Sequence, residues 1–182
     1  RGQLSNWKWL LHHYLFIRIP LVRPQRFLNW LAPLCGPFYT RGFAWTALLA
    51  TVVGLLLAIR QWETFVGTFV NMMSPAGLLG WGVALICAKA LHELGHAVTA
   101  TRLGVRVAHM GVAFLVLWPM LYTDTGESWK LPRRKDRFRI AAAGMAAELA
   151  LAGFATLIWS LIPDSSLRSA LFFLATTSWI IT

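Results

Sequence analysis

Three long apolar stretches, each bounded by charge or by a turn signal, divide this chain. From Phe43 to Ile59 seventeen residues pass without a charge. As a helix they measure about 25 Å, just enough to cross a thin or compressed bilayer. Arg60 and Glu63 close that run, and residues 61–73 are mixed and aromatic. Ser74 and Pro75 make an N-cap and first-turn pair that opens a second helix, and this helix can continue to Leu103 with Gly104 as its stop. Its 29 residues extend about 43 Å, so it must tilt or protrude. A third run, Phe138 to Ile162, is closed by Pro163-Asp164 and begins with Ala141 to Ala147, small residues suited to close helix contact. Leu167 to Thr182 opens a fourth apolar run.

Two stretches have a different pattern. Residues 105–122 are rich in β-branched and aromatic side chains and are interrupted by Gly111 and Pro119, which is strand-like. Arg102 and Arg106 precede them, and a basic cluster from Lys130 to Arg139 follows. With both clusters in the cytoplasm, the segment enters the membrane and returns. Such a hairpin or re-entrant loop is tolerated only where protein or a wet cavity satisfies its backbone. Residues 1–41 carry six Lys or Arg and no acid, interleaved with aromatic residues, as suits a segment lying in the membrane interface. Pro20, Pro24, Pro33 and Pro37 preclude a long helix after Ile19. The expected organisation is a basic, aromatic interfacial segment, 1–41, followed by a membrane-embedded core, 42–182. The expected fold class is an all-α polytopic membrane protein with a short membrane-embedded β-hairpin or re-entrant segment.

Composition strengthens this picture. A chain of 182 residues with 57% hydrophobic content and 10 Trp does not suit a soluble domain. The formal net charge of +10 alone would suit nucleic acid. Because the basic residues flank apolar runs, membrane lipid is the expected partner and nucleic acid is not. Charge placement puts 1–41, 102–106 and 130–139 in the cytoplasm and 60–74 and 163–166 outside. Cys35 and Cys87 imply no disulfide framework. No signal-peptide pattern is present. The chain starts at Arg1 without Met and stops inside an apolar run, so it is expected to be part of something longer.

The chemistry is concentrated in one stretch, His92-Glu93-Leu94-Gly95-His96, inside the second helix. Residues four apart share a helical face, about 6 Å apart along the axis, so both imidazoles can reach one tetrahedral ion. Zn²⁺ is the default for such a pair. Glu93, beside the first ligand, is placed to take a proton from an attacking water. Lys89, His92, His96 and Thr99 recur at three- and four-residue steps and form one polar stripe. Lys89 suits a substrate or oxyanion contact, or a charge pair with an acid on a neighbouring helix. Gly95 allows close approach of another backbone. Ionisable groups inside a membrane mark function by default, and Glu148, a lone acid within the third run, should face the bundle interior, near the metal or paired with Lys89. His12-His13 reads as an exposed polar pair, and His109 as a hydrogen-bonded histidine rather than a ligand. With His96 seven residues from the helix end, the metal is expected roughly 10 Å inside one membrane face.

The His-Glu-x-x-His motif in a membrane helix, the β-prone segment after it and the small-residue helix beyond resemble the site-2 protease family of intramembrane zinc metalloproteases, peptidase M50. The run Trp118 to Asp124, with Trp129 and the basic loop, resembles the bacterial branch found beside HlyD-type secretion proteins. The resemblance covers roughly residues 43–162 and implies a site-2-protease-like helical core in a bacterial inner membrane. It implies His92 and His96 as zinc ligands and Glu93 as the catalytic acid/base of a zinc endopeptidase. Membrane-spanning or membrane-associated peptides are the implied substrates, with a secretion system as a partner. It also implies a third ligand, an aspartate in an Asp-Gly motif that this chain does not contain; that ligand is expected beyond Thr182, with Asp124 and then Glu148 as candidates within the chain. A substrate helix must unwind to expose its carbonyls, and an extended edge within 105–118 is expected to pair with it. The alternative is a non-catalytic zinc-binding membrane protein serving export or signalling, which would not need Glu93 as a base.

Overall fold

The computed structural model describes residues 16–115 and 118–182. Strand β1 is Phe16–Val22, followed by helix α1, Gln25–Leu34, and a short 3-10 turn, Gly36–Tyr39. Helices α2, Arg41–Arg60, and α3, Trp62–Asn71, lead to α4, Pro75–Arg102. Strands β2, Met110–Leu115, and β3, Trp118–Thr123, precede α5, Arg134–Leu161, and α6, Ser166–Ile181. Helices α2, α4 and α5 are long and apolar enough to cross a membrane. The fold is that of an all-α membrane protein carrying a small sheet.

The helix boundaries follow local chemistry. Thr40 caps α2 by accepting from the Phe43 amide, Ser74 caps α4 by accepting from Gly77, and Ser165 caps α6 by accepting from Arg168. Each cap satisfies an amide that the first helical turn leaves without a partner. Beyond α4, Gly104 takes φ 76°, a left-handed stop that glycine adopts without a Cβ penalty. Helix α3 was not expected within 61–73. It is held by its aromatic face: Phe65 lies 5.6 Å from Trp159 and 5.2 Å from Phe172, and Phe69 5.3 Å from Trp81, between ring centroids.

Residues 110–123 do form a hairpin, but the sheet has a third strand. Its order is β1-β2-β3, antiparallel throughout, with Pro20 opposite Gly111 and an irregularity between Pro20 and Val22. Proline is compatible with a strand at a sheet edge. Gly111 makes the pairing possible, because a Cβ there would stand 2.1 Å from the Ile19 carbonyl oxygen. This arrangement corrects the expected substrate edge. The strand within 105–118 is central, with β1 on one side and β3 on the other; the outer strand nearest the site is β3.

Helices α2 and α5 approach closely where Gly54 lies against the Leu157 backbone and Gly153 against Thr51. Leu28 and Ala32 of α1 share a buried cluster with Ala97, Val98 and Ala100 of α4, Val105, Val107 and Ile140. The outer face of α1 exposes Phe27, Trp30 and Leu34. One end of the bundle is basic: Arg102 donates to the Ala32 carbonyl at 2.7 Å and stacks 4.6 Å from the Tyr39 ring centre. At the other end Gln61 donates to Ser160 and receives from Arg168.

Candidate active site

The site forms where α4 and α5 face each other, and its pieces sit at matched helical spacings. His92 and His96 lie one turn apart on α4. Their Nε2 atoms point at each other, 3.0 Å apart. Ile140, Gly144 and Glu148 lie at four-residue steps on α5 and therefore share one face. The Nδ1 of His96 is 2.6 Å from the Ile140 carbonyl oxygen, and the Nδ1 of His92 is 3.1 Å from Glu148 Oε2. Gly144 lies between these two anchors. A Cβ on it would stand 2.6 Å from the Nε2 of each ring, so only glycine leaves the space in front of the two nitrogens open. Gly95 brings the helices close enough: a Cβ there would be 2.8 Å from the Ala143 carbonyl oxygen.

This geometry sets the protonation pattern. A carbonyl only accepts, so the proton of His96 sits on Nδ1. The Nδ1 of His92 lies beside the Glu148 carboxylate without a hydrogen bond to it. The two Nε2 atoms stand 3.0 Å apart, a distance at which one ring donates to the other, and a cation held by both takes the place of that shared proton. Two nitrogens on one tetrahedral zinc, each about 2.0–2.1 Å from it, stand about 3.4 Å apart. The pair therefore fits zinc after a few tenths of an ångström of opening.

Lys89 completes the polar stripe by meeting Glu148 Oε1 at 2.9 Å. Of the uses open to Lys89, the structure shows the charge pair. Thr99, the last member of the stripe, bonds the Tyr39 hydroxyl at 2.8 Å. Burial pushes the Tyr39 phenol above its ordinary pKa, with the Thr99 bond acting in the opposite sense.

Glu93 faces an open cavity of about 330 Å³ that it shares with His96, Tyr122, Thr123, Arg137 and Ile140. Thr123 at the end of β3 donates to the Glu93 carbonyl at 3.1 Å, fastening the sheet beside the motif. Asp124 is turned away into a local bend, where Oδ1 accepts from the Gly126 amide at 3.0 Å. Glu148 is engaged on the Nδ1 edge of His92. Among the described residues no third His, Cys, Asp or Glu joins the two histidines as a metal-holding group. His109 uses its carbonyl to accept from the Asp124 amide. His12 and His13 lie outside the described residues. Ile140 and Gly144 were not anticipated as site residues, since a main-chain acceptor carries no sequence signature. The spacing of Gly144 four residues before the lone buried acid was the available signal.

Comparison with known proteins gives two matches. The model of peptidase family M50 matches residues 81–182, which include the motif, the hairpin and α5. An uncharacterized protein of Methanocaldococcus jannaschii is 34% identical over 68 residues, covering 37% of this chain and 19% of that protein. The chain thus matches only a small part of that relative's length. No solved structure matches it.

Proposed function

The chain belongs to peptidase family M50, and on that premise we propose that it is an intramembrane zinc endopeptidase acting on membrane-associated proteins or peptides. His92 and His96 hold the metal through Nε2, and Glu93 is the acid/base. The observation that carries this is the Nε2 pair, 3.0 Å apart, with the Nδ1 of His96 on the Ile140 carbonyl and that of His92 3.1 Å from Glu148. When bound, zinc supplies a Lewis acid that polarises the scissile carbonyl and acidifies water.

Glu93, on the next position of the helix, lines the cavity together with His96. Its carboxylate takes the proton of the attacking water and returns it to the leaving nitrogen. The cavity is bounded by Arg137 and by the end of β3, so water and substrate enter from the basic end of the bundle. An extended substrate segment lies along β3, the outer strand, a β-augmentation mode that keeps an unwound backbone satisfied. The excess of Arg and Lys supports a cytoplasmic orientation of that end, and the membrane we propose is a bacterial inner membrane. The resemblance of residues 118–124 to the HlyD-associated branch supports a secretion-system partner.

Glu93→Gln tests the assignment. It should lower peptide-bond hydrolysis by at least about 10²–10⁴-fold, the usual worth of a general base, while bound zinc stays near the wild-type level. Zinc analysis beside a cleavage assay decides it. Wild-type cleavage by Glu93→Gln would exclude Glu93 as the base.

A further inference from the structure

We propose that Glu148 is a positioning residue for His92, a role that rests on the metal assignment above. Its two carboxylate oxygens have separate tasks. Oε1 meets Lys89 Nζ at 2.9 Å, whereas Oε2 lies 3.1 Å from His92 Nδ1 and 3.2 Å from the Thr182 hydroxyl. The carboxylate is 1% exposed, and an ionised acid at that depth requires compensation by a cation. Lys89 supplies the charge. A structural ion pair needs nothing more, yet the second oxygen, besides accepting from Thr182, lies within 3.1 Å of a ring nitrogen of the motif.

His92 Nδ1 is buried and makes no hydrogen bond among the described residues; Glu148 Oε2 stands 3.1 Å from it. When a metal takes Nε2, the ring proton must sit on Nδ1, and Glu148 is the acceptor placed to receive it; without Glu148 that proton has no acceptor and the ring is free to turn. His96 differs, because its anchor is the Ile140 carbonyl, a main-chain group that side-chain substitution does not remove. Among the described residues, Glu148 is therefore the side chain placed to set the orientation of a motif histidine. Its oxygens lie on the Nδ1 edge of His92, the edge opposite the open space at Gly144, which suits an orienting group and not a ligand sharing the ion with Nε2.

The test uses the full chain in detergent micelles, with zinc affinity measured by chelator competition and site geometry by the visible absorption of bound Co²⁺. Wild type, His92→Ala, Glu148→Gln and the double variant Lys89→Met/Glu148→Gln are compared. The double variant replaces the ion pair with neutral side chains of similar size, so no unpaired lysine is left buried. Both Glu148 variants should bind zinc about 10–100-fold more weakly and show a shifted Co²⁺ spectrum, with thermal unfolding of the double variant close to wild type. Wild-type affinity and spectrum in the double variant would overturn the proposal. Loss of the fold in that variant would overturn it too, by showing the pair to be structural. If wild type binds no zinc, or His92→Ala binds it equally well, the metal assignment fails and the positioning role fails with it; the two failures are thereby separated.

Discussion

The two halves of α5 bury polar atoms in opposite ways. In the half that carries Ile140, Gly144 and Glu148, the contacts cross to α4 and engage ionisable groups, Lys89, His92 and His96. In the half that carries Thr156 and Ser160, the hydroxyls donate back onto their own helix, to the carbonyls of Ala152 and Thr156, and the cross-helix donors are the neutral Trp179 and Gln61 side chains. There the neighbours are aromatic: Trp159, 1% exposed, packs against Phe65 and Phe172. Hydroxyls that donate within their own helix and neutral rings are an inexpensive way to fill a membrane interior, and they tolerate small shifts. A charged cross-helix network is costly to bury and fixes geometry to a fraction of an ångström. The first half holds chemistry in place, and the second holds the bundle together.

Gly144→Ala should break that distinction most severely. Its methyl would enter the space 2.6 Å from both Nε2 atoms, so zinc affinity should fall by about 100-fold or more, at least the loss typical of an outer-shell change. Overpacking should cost only about 1–3 kcal/mol of stability. Chelator competition and unfolding in mixed micelles measure the two effects on one sample. Trp159→Ala should do the reverse. Loss of the ring should destabilise the protein by about 3–5 kcal/mol, read in the same unfolding experiment, while zinc stoichiometry in the folded fraction stays at the wild-type value.

The smallest effect concerns the two ends of the bundle. Cysteines placed singly at Gln61, Lys135 and Ser165 should leave activity unchanged and differ only in labelling. An impermeant thiol reagent outside the cell should reach positions 61 and 165 and not 135. Labelling of position 135 from outside would contradict the cytoplasmic orientation of the basic end.

The spanning helices were legible because membrane burial leaves a composition signal and because their caps are local. Ser74-Pro75 and Gly104 mark α4 within a residue of its observed ends. The approach of the two histidine rings was legible because helical spacing alone brings them together. Strand β1 was not, since Pro20 counts against a strand and its partner, Gly111, is about ninety residues away in sequence. Helix α3 was hidden for a similar reason: its aromatic residues are held by rings from α4, α5 and α6. Within the site, Glu148 stood out as a lone acid in an apolar helix, but the direction of its two oxygens is a tertiary fact. The Ile140 carbonyl left no trace in the sequence at all.

Zinc K-edge absorption spectroscopy of the full chain, beside His92→Ala and His96→Ala, tests the central claim most directly. A zinc centre at the α4–α5 seam predicts imidazole nitrogens at about 2.0–2.1 Å from the metal, with the imidazole scattering reduced or the metal lost in each variant. Zinc that carries no imidazole ligand, or a spectrum that neither substitution changes, would contradict it.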